Sequence, residues 1–124
     1  MRVVAVVGLS DKPWRPSHGV ARYLKSRGVR IVPVNPALAG REVLGERVYR
    51  SLSEIPRDVR IDVVDIFRRS ELVGPIVDEA IARGQGAIWM QEGVVHEASA
   101  AKARAAGMPV VMDACLAVEH RARR

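Results

Sequence analysis

Gly8, Leu9, Ser10, Lys12, Trp14, Arg15, Ser17 and His18 follow directly on the apolar run Val3–Val7, in the stretch "VVAVVGLSDKPWRPSH". Several of these residue types, at this spacing, suit an anion. Gly8 lets the backbone approach a phosphate closely, Ser10 offers a hydroxyl, and Lys12 and Arg15 bring positive charge. Ser17 is placed to cap a helix whose N-terminus adds free N–H groups, and His18 stands at that helix start to contact the phosphate or assist the cap. An ordinary strand-to-helix connection would use many of the same residues. The second and third glycines of a dinucleotide fingerprint are missing, which counts against NAD.

Later apolar runs end in further candidates. "VPVNP" finishes on Asn35 and Pro36, where an NAD-binding unit carries an acid for the ribose hydroxyls. Asn35, with Arg41 nearby, tolerates a phosphorylated ribose that a carboxylate would repel, although Asn-Pro is also a common turn. "DIFRRS" offers Phe67 to a base or to the core, Arg68 or Arg69 to a phosphate, and Ser70 as the cap of the next helix. "WMQEG" adds Gln91, Glu92 and Gly93; Glu92 equally suits a helix N-terminus.

The elements that must position these residues are legible as alternating patterns. The apolar segments Arg2–Gly8, Arg30–Pro36, Ile61–Phe67, Gly86–Met90 and Pro109–Asp113 are Val- and Ile-rich and nearly continuous, as in strands buried on both faces. Ser17–Arg27, Ser70–Arg83 and Val95–Ala106 read as helices, followed by Gly28, Gly84 and Gly107. A further helix is expected from about Ala114. The order predicts an α/β fold, a Rossmann-like three-layer α/β/α sandwich with a mostly parallel sheet of about five strands. Between Ala37 and Arg60 the pattern is less regular, with a short extra strand expected near Val48 and capping-box spacing at Ser51 and Glu54. The 124 residues fit one domain spanning positions 1–124.

Bulk properties narrow the function classes. The net charge of +6 favours anionic partners, but much of it lies in the C-terminal "RARR", which a solvated tail also explains. Aromatics are too sparse for a single-strand stacking platform, so no specific nucleic-acid partner is expected. No apolar run approaches bilayer length, and the single cysteine suits a reducing cytoplasm. Self-association through a sheet edge or helix face is compatible with this reading.

Taken together, "GLS", "VNP", "DIFRRS", "WMQEG" and "DACLAVE" resemble, in order and spacing, the CoA-binding domain family related to the N-terminal domain of the succinyl-CoA synthetase alpha subunit. The resemblance runs from Val3 to about Glu119 and implies a Rossmann-like domain holding CoA or an acyl-CoA across the strand ends. It places Gly8 and Ser10 at the diphosphate loop, Asn35 and Pro36 beside the adenosine end, and Phe67 and Arg68 along the nucleotide and pantetheine. Gln91 and Glu92 match the synthetase "TEG" segment. The first loop departs from the synthetase pattern: Asp11, Lys12, Trp14 and two prolines replace its second and third glycines, leaving Lys12, Trp14 and Arg15 to substitute in the phosphate contacts, and it is similar instead to the small stand-alone members.

No catalytic set is evident. The phosphohistidine domain of the synthetase has no counterpart here, so the resemblance does not carry ligase activity. His96 and His120 read as solvated surface residues. Cys115, near the N-terminus of the last helix, reads as a buried packing residue rather than a partner for the CoA thiol. Asp62 and Asp65 fall on opposite sides of a strand. The expectation is a small CoA-binding carrier, sensor or regulatory module acting with a protein partner that the sequence does not identify. The alternatives are a subunit of a split acyl-CoA synthetase and a fragment of a nicotinamide-dependent oxidoreductase.

Overall fold

In the computed structural model, residues 1–123 are described; Arg124, the last residue of "RARR", lies outside them. The main sheet holds β1 (Val3–Val7), β2 (Arg30–Val34), β5 (Val63–Ile66), β6 (Ala87–Met90) and β7 (Val110–Val111), in the order β2-β1-β5-β6-β7. A two-stranded hairpin of β3 (Glu42–Val43) and β4 (Glu46–Arg47) stands apart. Every pairing in the main sheet is parallel. The chain leaves β1 for β2 on one side and returns to β5 on the other, so the order reverses between β1 and β5. In doubly wound sheets that reversal opens a crevice at the carboxyl ends of the strands.

Continuous apolar runs are needed because both faces are covered. Along β1, Val4 and Val6 pack with Val20, Ala21 and Leu24 of α1 (Pro16–Ser26) and with Leu116 and Ala117 of α4 (Leu116–Arg123). Ala5 and Val7 face the other way, toward Val73, Val77 and Ala80 of α2 (Val73–Arg83) and Ala103 of α3 (Glu97–Ala105). Full burial of each such valine stabilises the fold by roughly 1.5–3 kcal/mol relative to exposure. The expected α/β sandwich is therefore the observed one.

Several local expectations are corrected. Ser17 is not the N-cap of α1: Pro16 opens the helix, with Arg15 in the cap position and no side-chain cap bond. Proline tolerates the first helical position because its missing N–H has no partner there anyway. Ser70 is likewise no cap; Arg69 precedes a single 3₁₀ turn, Ser70–Leu72, that leads into α2. His96 caps α3, its Nδ1 accepting the Ser99 N–H at 3.2 Å. Through Arg123 the "RARR" segment is exposed, as a solvated tail would be, but helical. The Arg121 guanidinium lies 4.7 Å from the Tyr23 ring centroid, and the Tyr23 hydroxyl pairs with His120 Nδ1 at 2.9 Å. These contacts bind α4 to α1, so His120 is also not simply solvated.

The irregular middle of the chain has its own device. Near Val48 the extra strand takes the form of the β3–β4 hairpin, and Tyr49 bridges to Val34. The Ser51–Glu54 capping box does not form, because Leu52–Glu54 is one 3₁₀ turn and the Ser51 hydroxyl pairs with Ser53 Oγ at 2.9 Å. The turn and the residues after it are held from α2 instead. Arg83 Nη1 donates to the carbonyls of Leu52 (3.3 Å) and Ile55 (2.9 Å), and Nη2 to those of Pro56 (2.8 Å) and Val59 (2.7 Å).

Candidate functional site

The crevice at the strand ends is a cleft of about 770 Å³. Its floor begins at Gly8, whose N–H donates to the Val34 carbonyl at 2.7 Å and whose φ is +89°. A Cβ at this position would lie 2.4 Å from the Phe67 carbonyl oxygen and 3.0 Å from Arg68 Cδ. The loops after β1 and β5 thus cross in contact, and only glycine allows the crossing. Beyond Gly8, the Ser10 N–H donates to Ser17 Oγ and the Lys12 N–H to Ser10 Oγ, both at 3.0 Å. Ser17, the second residue of α1, therefore ties the loop back onto the helix.

One wall of the cleft carries Lys12, Arg15, Pro16, Ser17 and Val20; the other carries Phe67, Arg68, Gln91, Glu92 and Val94, with Asn35 and Cys115 closing it. Lys12, Arg15 and Arg68 face a single acid, Glu92, so the cleft is net positive. Phe67, Val20 and Val94 supply apolar surface beside the cations. This combination suits a ligand with both a phosphate and an apolar arm.

Loop-to-loop bonds hold the far wall. The Gly93 N–H donates to Asp113 Oδ1 at 2.7 Å, and the Val95 N–H to Ser70 Oγ at 3.0 Å. Buried Gln91 accepts the Leu116 N–H through Oε1 at 3.0 Å, which orients its amide in the cleft. Asn35 is held at each end by its own chain: Nδ2 donates to the Leu9 carbonyl and Oδ1 accepts the Ala37 N–H, both at 3.0 Å.

Of the residues expected at the site, Gly8, Ser10, Lys12, Arg15, Ser17, Asn35, Phe67, Arg68, Gln91 and Glu92 come together around this cleft. Pro36 lines an adjoining cavity of about 440 Å³ that shares Gly8 and Arg68 with it. The rest lie elsewhere. Leu9 is fully buried in the core beneath α1 and takes part only through its carbonyl. Trp14 is 76% exposed and off the cleft wall, with Lys12 Nζ 5.6 Å from its ring. His18 is buried and accepts from Arg22 Nη1 through Nδ1 at 3.2 Å. Ser70 acts on the wall from behind, through Val95. Sequence reasoning missed Pro16, Val20 and Val94; Cys115, expected in packing, is half-buried against the core and also lines the cleft.

The adjoining cavity lies between the ends of β1 and β2 and the start of α2. Val34, Pro36, Leu72 and Ile76 make it mostly apolar, and Arg50, Ser51 and Glu79 give it polar corners. Arg68 lies on the boundary of the two spaces.

The two aspartates have opposite environments. Asp62 accepts the Arg2 and Val3 N–H groups, both at 2.8 Å, and these bonds hold its carboxyl below the usual range. Asp65 is fully buried on β5 between Val6 of β1 and Trp89 of β6, with neither oxygen partnered, and burial raises its carboxyl well above the usual range. Among the described residues no group of three or more His, Cys, Asp or Glu is placed to hold a metal ion. No helix among them is long and apolar enough to cross a membrane.

Comparison with known proteins agrees with this geometry. YneT of Bacillus subtilis (strain 168) is 40% identical over 117 residues, covering 94% of this chain and 84% of that one. The structure of cell-free ID.343 from Thermus thermophilus superposes with a TM-score of 0.93 at 37% identity, over 98% of this chain and 89% of the other. The dinucleotide-forming acetyl-coenzyme A synthetase 1 of Ca. Korarchaeum cryptofilum gives a TM-score of 0.74 at 25% identity over 88% of this chain, which corresponds to 25% of that larger protein. The family described as CoA binding domain matches residues 2–121. With nearly the whole chain so matched, and a phosphate-suited cleft where its parallel sheet reverses order, this protein belongs to the CoA-binding domain family.

Proposed function

We propose that the protein binds CoA or an acyl-CoA in the 770 Å³ cleft and acts as a carrier, sensor or regulatory module. The observation that carries this reading is the pairing of three cations, Lys12, Arg15 and Arg68, with the apolar wall of Phe67, Val20 and Val94 at the sheet reversal. In this reading Lys12 and Arg15 meet the diphosphate above Gly8, and charge-assisted bonds of this kind are about twice as strong as neutral ones. The adenosine end extends past Arg68 into the cavity beside Pro36. The pantetheine arm runs along Phe67 toward Cys115. No acid stands at the end of β2 to accept a nicotinamide dinucleotide's ribose hydroxyls, and Asn35 there is already engaged on both ends.

A second reading, one subunit of a split acyl-CoA synthetase, is favoured only by the likeness to part of the acetyl-coenzyme A synthetase. Calorimetric titration with CoA, dephospho-CoA, NADH and NADPH tests the main proposal. Binding of CoA at micromolar concentration is the expected result. Affinity for NADH with none for CoA refutes it.

A further inference from the structure

We infer that Arg50 selects for a phosphomonoester on the ribose of the bound adenine nucleotide. This deepens the binding reading above and rests on it. The sequence offers Asn35 and Arg41 for that task, and the structure favours neither. Asn35 has each end of its amide held within the chain and, being neutral, brings no charge to a phosphomonoester. Arg41 lines neither cavity. Arg68 stands on the boundary of the two spaces, where the diphosphate must pass.

Arg50 is the remaining cation on the adjoining cavity. Its guanidinium is only loosely held, 3.9 Å from Glu54 with both side chains more than half exposed. An exposed pair of that length contributes little, so the guanidinium is free to turn toward a dianion. The rest of the cavity is apolar enough for a purine, between Pro36 and Ile76, and its one acid, Glu79, accepts the Ser53 N–H at 3.3 Å. A base seated there leaves its ribose at the mouth, where the planar fork of Arg50 matches a phosphate in two-point geometry.

The test is calorimetric titration of the wild type, Arg50→Ala and Arg50→Lys with CoA, dephospho-CoA, NADPH and NADH. The wild type is expected to prefer CoA over dephospho-CoA by roughly tenfold or more, the usual worth of charge-assisted phosphate bonds. Arg50→Ala should bring that ratio close to one without changing dephospho-CoA affinity, and Arg50→Lys should restore part of it. The NADPH and NADH arms show whether the recognised phosphate belongs to CoA or to a phosphorylated dinucleotide. A CoA preference unchanged in Arg50→Ala overturns the assignment while leaving the binding reading intact. A wild type that binds neither CoA nor dephospho-CoA overturns both. Arg50 is exposed and its loss should leave the melting temperature unchanged, so a folding defect would show separately.

Discussion

Replacing Gly8 by alanine should damage both the fold and the site, and the size of the damage follows from geometry. The new Cβ would lie 2.4 Å from the Phe67 carbonyl oxygen, a backbone atom of the neighbouring strand end that cannot swing aside. Two costs then combine. A side chain held at a φ of +89° loses roughly 1–2 kcal/mol against glycine. Forcing a methyl group into packed surroundings costs roughly 1–3 kcal/mol more. Gly28 gives the control, because its φ is +85° but nothing lies within 4 Å of its Cβ position. Gly28→Ala therefore carries only the first cost, and the two variants should differ by the packing term alone.

With an unfolding entropy of about 2.1 cal/mol/K per residue, 124 residues give about 0.26 kcal/mol/K. Gly8→Ala should then melt roughly 4–12 °C below Gly28→Ala in a thermal scan followed by circular dichroism. A CoA titration at a temperature where both variants are folded should show weakened binding only for Gly8→Ala. Equal melting temperatures would refute the steric argument. Equal affinities would show that the crossing of the β1 and β5 loops does not shape the cleft.

Two further perturbations test separate parts of the structure. Asp65 has its folded-state proton affinity raised by burial, so its contribution to stability is most favourable below the ordinary carboxylate value of 3.8 and worsens as pH rises. Asp65→Asn should therefore raise the melting temperature at neutral pH, with an advantage that shrinks toward about pH 4; a pH-independent difference counts against the buried, unpaired carboxyl. Asp62 runs the other way, its contribution being lost as pH falls, so the comparison must be made between variant and wild type at each pH. Ser17→Ala leaves the Ser10 N–H without its acceptor and should cost about 1–2 kcal/mol in urea unfolding, together with faster amide exchange at Ser10; no change in either would show that water replaces the bond freely.

Much of the architecture was legible because local and global signals agreed. Val- and Ile-rich runs such as Val3–Val7 and Arg30–Val34 cannot be helices of useful length, and Gly28 and Gly84 end the helices that follow or separate them. The residues gathered at the cleft were legible for a related reason, since a parallel sheet places every loop that follows a strand at one edge. Side-chain direction was not legible. Nothing in "DKPWRPS" says that Lys12 and Arg15 border the cleft while Trp14, with the Lys12 ammonium beside its ring, stays off it in solvent. Ser17 and Ser70 looked like caps because the cap pattern is local, whereas their bonds to Ser10 and Val95 are set by how the loops meet. Cys115 packs against the core as expected, and because α4 begins after it, at Leu116, it also borders the cleft. Asp65 carries no sequence mark of its isolation, which depends on Val6 and Trp89 flanking it across the sheet.

Arg83 has a consequence for motion as well as for shape. Segment 52–59 contains little regular hydrogen bonding of its own, so by itself it would open and close independently, as irregular surface chain does. One guanidinium holding four of its carbonyls makes it move with α2. Leu52 and Ser51 lie on the cavity beside Pro36, at the edge of that tethered segment. The cavity wall thus inherits the lifetime of a helix instead of that of a loop, and a nucleotide arriving there has little disorder left to remove.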